Sequence, residues 1–304
     1  MPKHFICTLH PDKPDAQIFE VVLMSVGNEP SVVSCGFPIT CSTSVSQNPK
    51  ADIILLSAMV GDLPAILDQN KELINWLKVQ HKKGVALVST CTGSFFLAAT
   101  GLLNGKEATT SWFSSHQFKT VFPEVILLDE KIIVDNGNIV TGGATLSFTN
   151  LCIYLIEKYF GKEMGSYCAK MFLVDKGKSP QQSYAIFTTQ KIHQDTEIRQ
   201  AQEWIEGMPK VKVVVSQIAD RLAMSERNFI RRFKAATGNT PSEYIQRIKV
   251  EQARQWLEAG KENIKEISYK TGYEDLNHFR GIFKRYTGLT PVEYRKLFVF
   301  DLAT

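Results

Sequence analysis

One stretch of this chain is written twice, and that repeat limits the fold more than any other feature. "SQIADRLAMSERNFIRRFKAATGNTPSEY" (Ser216 to Tyr244) returns as "KEISYKTGYEDLNHFRGIFKRYTGLTPVEY" (Lys265 to Tyr294). Phe229, Phe233, Thr237, Gly238, Pro241 and Tyr244 thus recur 50 positions later as Phe279, Phe283, Thr287, Gly288, Pro291 and Tyr294. Ile218 and Ile267, like Ala223 and Gly272, stand only 49 apart, which puts a one-residue insertion in the turn of the second copy. Each copy reads as helix, tight turn, helix, an arrangement that can offer its second helix to a DNA major groove.

The pattern divides each second helix into two faces. Ser225 is placed to cap the first copy's helix, Phe229 and Phe233 point inward, and Arg227, Arg231 and Lys234 share another face beside Asn228. In the second copy Asp275 takes the capping place, and Asn277, Arg280, Gly281 and Lys284 face outward. Arg can bond bidentately to guanine and Asn to adenine, so the two helices are expected to read different half-sites. Between them, Pro241 suits a first helical turn and Gly260 a C-terminal cap. The resulting helix of about 19 residues is roughly 28 Å long, enough to hold two readers about one turn of B-DNA apart. Thr240 and Thr290 precede helix starts and are expected to meet phosphates.

Charge follows the repeat. Residues 210–300 carry 18 Lys+Arg against 10 Asp+Glu, whereas residues 1–209 carry 17 against 20. The basic part is the part that would meet phosphates. Six cysteines, all within the first 168 residues, lack metal-ligand or CxxC spacing, and no run of apolar residues is long enough for a membrane span. A reducing cytoplasm, with no metal, cofactor or membrane, is the expectation.

Upstream, "FEVVLMSVG" (Phe19 to Gly27), "ADIILLSA" (Ala51 to Ala58) and "GVALVST" (Gly84 to Thr90) read as buried strands. Further strands are expected near Val125–Leu128, Ile132–Val134 and Ile139–Thr141, with helices over Leu63–Gln80, from Cys91 to Gly101, and over Leu146–Phe160. Alternation of this kind predicts a doubly wound, flavodoxin-like α/β domain. "KGKSPQQSYAIFTT" (Lys176 to Thr189) interrupts the pattern, and everything after it reads as helix, with Val211–Val215 entering one. The division expected is residues 1–185, a linker over 186–195, and an all-α domain over 196–304 with helix-turn-helix units at about 216–237 and 265–287. Trp76, Trp204 and Trp256 lie on helical stripes and are expected to pack.

On these residues the segment Thr196 to Phe298 resembles the DNA-binding domain of AraC-type transcriptional regulators, most closely over "GYEDLNHFRGIFKRYTGLTPVEYR". The resemblance implies groove readout by Arg227, Asn228 and Arg231 and by Asn277 and Arg280. Leu276 departs from it, standing where relatives often place a polar base-contacting residue.

"VALVSTCTGSFFLAATGLLNGKEATTSW" (Val85 to Trp112) sets Cys91 between a strand and a small-residue helix, the layout of a nucleophile elbow, where thiolate is favoured. With "TGGATLSFTNLCIYLIEKYFG" (Thr141 to Gly161) it resembles the class-I glutamine-amidotransferase-like superfamily in its PfpI-type branch, over roughly residues 19–173. The order of the two domains is that of the GlxA-type subgroup. In that branch the cysteine works with a histidine, often within ATTHW; here "ATTSW" puts Ser111 in its place, and His116 lies five residues on. No catalytic residue is therefore expected. Cys91, Thr92, Ser111, Gly142 and Gly143 are candidates to line a ligand pocket. The start is short against the branch's usual strand and long helix, read as truncation or a reduced first unit.

The expected function is a sequence-specific transcriptional regulator whose front domain senses a small-molecule effector or mediates dimerisation. Its partners would be double-stranded promoter or operator DNA, the unidentified effector, a second copy of the chain, and RNA polymerase as a further candidate. A cysteine-dependent amidase or glyoxalase-like enzyme fused to a DNA-binding domain is the alternative, and a redox-sensing Cys91 or a front domain for dimerisation alone also stays open.

Overall fold

Buried aliphatic runs with alternating faces build the front sheet. The computed structural model describes residues 19–27, 31–32, 38–144, 147–175, 181–191, 193–207 and 214–299. Its strands are β1 (Met24–Ser25), β2 (Ser31–Val32), β3 (Pro38–Ile39), β4 (Thr43–Ser44), β5 (Ile53–Leu56), β6 (Ala86–Thr90), β7 (Glu107–Ala108), β8 (Ile126–Leu127), β9 (Ile133–Asp135) and β10 (Ile139–Gly142). The central sheet runs β5-β6-β10-β9. β5, β6 and β10 are parallel, with Ile53 opposite Ala86 and Ile139 opposite Leu87, and β9 closes the edge antiparallel.

Helices α1 (Leu63–Gln69), α2 (Lys71–Lys82), α3 (Ser94–Ala99), α4 (Ser115–Val121), α5 (Ser147–Phe160) and α6 (Lys162–Met171) complete this part. Ile54, Leu56, Leu87 and Ile139 pack with Leu73, Leu77 and Phe95 in one buried cluster. Val88 and Val140 meet Leu151 and Leu155 in another. Successive strand residues serve opposite faces, so the sheet is covered on both, as a doubly wound domain requires.

Two local expectations are corrected. The single helix over Leu63–Gln80 is two helices, broken at Asn70, whose φ of −113° and ψ of 33° leave the helical region while its side-chain amide donates to the Ile66 carbonyl at 2.7 Å. The run Phe19–Gly27 contributes only Met24–Ser25 as strand, paired with β4 outside the central sheet, and Val21 is 81% exposed. The strand expected near Val125–Leu128 is present as Ile126–Leu127 and pairs with β7 in a separate two-stranded ladder. For both short strands the apolar run did not fix the pairing partner. The first 18 residues and the beginning of Val211–Val215 lie outside the described residues.

The second part comprises α7 (Thr196–Gly207), α8 (Val215–Arg221), α9 (Glu226–Thr237), α10 (Pro241–Ala259), α11 (Ile264–Lys270), α12 (Leu276–Thr287) and α13 (Pro291–Phe298). It has two cores. Phe229, Phe233 and Tyr244 pack with Ile198, Ala201 and Ile205. Phe279, Phe283 and Tyr294 pack with Val250, Ala253 and Leu257. α10 lends its first half to one core and its second half to the other, and its 19 residues end at Gly260 with φ 70°. None of the described helices is long and apolar enough to cross a membrane.

Candidate nucleic-acid interface and the Cys91 elbow

The turn of each reader needs a residue in the left-handed region. Ala223 takes it in the first unit at φ 52° and Gly272 in the second at φ 77°. The inserted residue follows that turn and leaves the helices on both sides in register. Ser225 accepts a hydrogen bond from the Asn228 amide at 3.4 Å, and Asp275 accepts from Asn277 at 2.7 Å, so both predicted caps are in place.

With the Phe pairs buried, Arg227, Arg231 and Lys234 are exposed on α9, and Asn277, Arg280 and Lys284 on α12. Among the described residues none of these five cations is ion-paired with a carboxylate. Asn228 is half-buried and its Oδ1 accepts from Arg231 at 2.9 Å, which holds that guanidinium along the helix. Leu276 is half-buried against the second core, so packing takes the position where relatives carry a polar reader.

Arg232, one residue from Arg231, does something else. Its guanidinium donates to both carboxylate oxygens of Asp195 at 2.6 and 2.9 Å and to Glu197 at 2.7 Å, tying α9 to the start of α7. The bond to Arg232 holds the Asp195 carboxyl below its ordinary range. The equivalent of Arg232 in the second unit is Ile282, buried in that core.

Thr240 and Thr290 sit in full capping boxes. Each hydroxyl accepts from the amide three residues on, at 3.3 Å, and bonds the carboxylate of Glu243 or Glu293. A carboxylate of the chain itself thus takes the hydroxyl and backbone amide expected to meet a phosphate, and negative charge already stands at both helix starts.

The units differ at the end of the reading helix. In the first, the Asn239 side chain donates to the Thr237 carbonyl at 2.9 Å. Leu289 stands at the matching place in the second, and the Thr287 carbonyl is met by the hydroxyl of Ser183 at 3.0 Å, from the segment between the two parts of the molecule. Gln182 also donates to the Arg285 carbonyl, and Arg254 grips the carbonyls of Gln182 and Ala185.

In the front domain Cys91 is buried and strained, with φ 51°, at the head of a single turn leading into α3. Its amide donates to the Gly143 carbonyl at 2.9 Å, and its carbonyl accepts from Ser94 and Thr110. Gly93 has no room for a side chain: a Cβ there would lie 2.5 Å from the Leu56 carbonyl oxygen. The Thr92 hydroxyl is used structurally, bonding both the amide and the carbonyl of Met59 at 2.7 Å. Ser111 is buried next to Thr110. Gly142 closes against Leu151, and the Gly143 amide is taken by the Ile132 carbonyl at 2.8 Å. His116 is exposed on α4, where its ring lies 3.7 Å from the place a Cβ on Gly238 of the second part would occupy.

Gln181, which sequence reasoning missed, fills the space beside Gly143. Its side-chain oxygen accepts from the Ala144 amide at 2.6 Å and its side-chain nitrogen donates to the carbonyls of Thr110 and Asp129 at 2.9 and 2.8 Å. No local pattern marks it, since Thr110 is 71 residues away in sequence. No group of three or more metal-ligating side chains occurs among the described residues.

Comparison with known families accounts for both parts. The Helix-turn-helix domain family matches residues 218–297 and the DJ-1/PfpI family residues 15–158. The chain is 22% identical to the HTH-type transcriptional regulator CdhR of Pseudomonas aeruginosa, covering 92% of this chain and 82% of that one. Identity to GbdR of the same species is also 22%, covering 86% and 71%. To GlxA of Rhizobium meliloti it is 23%, covering 92% and 86%. With two readers on a shared helix behind a doubly wound domain, the chain has the architecture of AraC-type transcriptional regulators that carry an amino-terminal DJ-1/PfpI-type domain.

Proposed function

We propose that α9 and α12 lie in successive major grooves on one face of an asymmetric DNA site. Arg227, Asn228, Arg231 and Lys234 would meet one half-site, and Asn277, Arg280 and Lys284 the other. One observation carries the reading: two helices, each anchored by a buried Phe pair, present long donors free of carboxylate partners from opposite ends of one 19-residue helix. Ser225 acts through capping, and Thr240 and Thr290 act by setting helix starts near the backbone. Residues 1–185 form the sensing unit, 186–195 the linker and 196–304 the DNA-binding unit, with a second copy of the chain and RNA polymerase as further partners.

The front domain works without catalysis in this reading. Ser111 stands where the branch places its histidine, and a hydroxyl does not accept a proton near neutral pH. His116 lies beside Gly238 of the other domain. A small-molecule effector bound in the front domain near Cys91 would shift the balance between domain arrangements.

The test is binding to a duplex selected from random oligonucleotides by the full chain. Arg231→Ala and Arg280→Ala should each cost about 1–3 kcal/mol of discrimination against a scrambled duplex. A loss equal on both duplexes, with a shallower salt slope, would make these residues phosphate contacts and remove the assignment. Amidase or glyoxalase turnover abolished by Cys91→Ala would overturn the non-catalytic reading.

A further inference from the structure

The group that fills the Cys91 side of the front domain comes from the last residues of the front unit, just before the linker, and the same few residues hold the second reader. Gln181 is 4% exposed, and its carboxamide meets one amide donor and two carbonyl acceptors. That set is complementary to a primary carboxamide. A carboxylate has no proton for the Thr110 and Asp129 carbonyls, and an ammonium group cannot accept from the Ala144 amide. Gly143 makes the place available, because a Cβ there would lie 2.6 Å from the Gln181 side-chain oxygen. Gly143 also accepts from the Cys91 amide, so the occupant is one residue removed from the elbow.

Directly after Gln181 come the contacts to the DNA-binding part. Gln182 donates to the Arg285 carbonyl, and Ser183 supplies the hydrogen bond to Thr287 that the first unit makes for itself with Asn239. The last turn of α12 would otherwise keep an orphan carbonyl. The second reader therefore borrows its closing contact from the end of the front unit.

The geometry points to a carboxamide-binding site in the front domain that the chain occupies with its own Gln181, whose occupant decides whether Gln182 and Ser183 hold the end of α12. A small molecule carrying a primary carboxamide would enter by displacing Gln181 and would release that hold. This rests on the regulator reading above and adds the ligand's chemistry and the route by which it acts.

Propionamide is the probe, with propionate and propylamine as controls of similar size. Gln181→Ala in the full chain should weaken binding to the selected duplex about fivefold or more. Propionamide should raise the melting temperature of that variant by about 2 °C or more, and neither control should do so. In the wild-type chain propionamide, and neither control, should weaken binding to the selected duplex, and Gln182→Ala with Ser183→Ala should remove that effect while leaving the melting response of a Gln181→Ala background in place. Gln181→Glu, of nearly the same size but unable to donate, should share the DNA defect without responding to propionamide, and it serves if the alanine variant does not fold. A melting response to propionate equal to that to propionamide, or no response to propionamide, removes the carboxamide site; unchanged DNA affinity in Gln181→Ala and Gln181→Glu removes the relay. Should the wild-type chain itself fail to prefer the selected duplex, the regulator reading fails first, which separates the two outcomes.

Discussion

Tyr244 donates its phenolic proton to Glu206 across 2.7 Å while its ring is wholly buried against Phe233 and Phe187. The second reader repeats the bond between Tyr294 and Glu258 at 2.6 Å. Burial first, and then the carboxylate, push both phenols above their ordinary range, so they stay protonated and donate throughout the physiological range. The repeated TGxTPxEY string thus ends each unit in the same buried bond. Tyr244→Phe and Tyr294→Phe should each lower stability by about 1–2 kcal/mol, read from urea unfolding of the full chain. An unchanged midpoint in both would mean that water replaces the hydroxyl at no cost.

Ala223 holds a left-handed φ of 52° where Gly272 stands in the other unit. An L-residue is strained there, by about 1–2 kcal/mol, while glycine adds unfolded-state entropy. Ala223→Gly should therefore stabilise by roughly 0.5 kcal/mol, and Gly272→Ala should destabilise by about 1 kcal/mol. Calorimetric melting of the two variants measures both signs, and a loss of stability in Ala223→Gly would contradict the strain.

Much of this was legible because local rules and the global fold agree. Phe229/Phe233 against Arg227/Arg231/Lys234 fixed the faces of α9 before any contact was known, and Ser225, Asp275, Pro241 and Gly260 marked helix ends that the structure retains. What was not legible depends on long-range pairing. Arg231 and Arg232 are adjacent and chemically identical, and only the approach of Asp195 from α7 separates a candidate reader from an internal tie. Gln181 looked like one more polar residue of an interrupted segment. Asn70 breaks a helix whose apolar stripe runs on through it, because stripe and cap act on different atoms.

The Arg232 tie gives stability a pH dependence with a definite sign. Asp195 has its carboxyl lowered from an ordinary 3.8, chiefly by the hydrogen bond from Arg232. A lowered carboxyl contributes fully above the unfolded value and loses that contribution as pH falls through the folded one. The stability difference between wild type and Asp195→Asn should be constant from neutral pH to about 4 and shrink below that. A difference that grew on acidification would reverse the assignment.

At Gly93 a methyl group would meet the Leu56 and Ser57 carbonyl oxygens at 2.5 and 2.7 Å, both backbone atoms of β5 and its continuation. Gly93→Ala should cost about 1–3 kcal/mol and displace the turn carrying Cys91. Unfolding midpoints give the cost, and a neutral result would show that β5 yields at its end.

α10 belongs to two hydrophobic cores at once. Adding one residue to its middle would swing one reader by about 100° around the rod's axis relative to the other and shift it by about 1.5 Å. The phasing of the operator is therefore set by the count of residues in this rod. The outward side chains of α9 and α12 can change without altering that count, so relatives could acquire new base preferences while keeping the same half-site spacing.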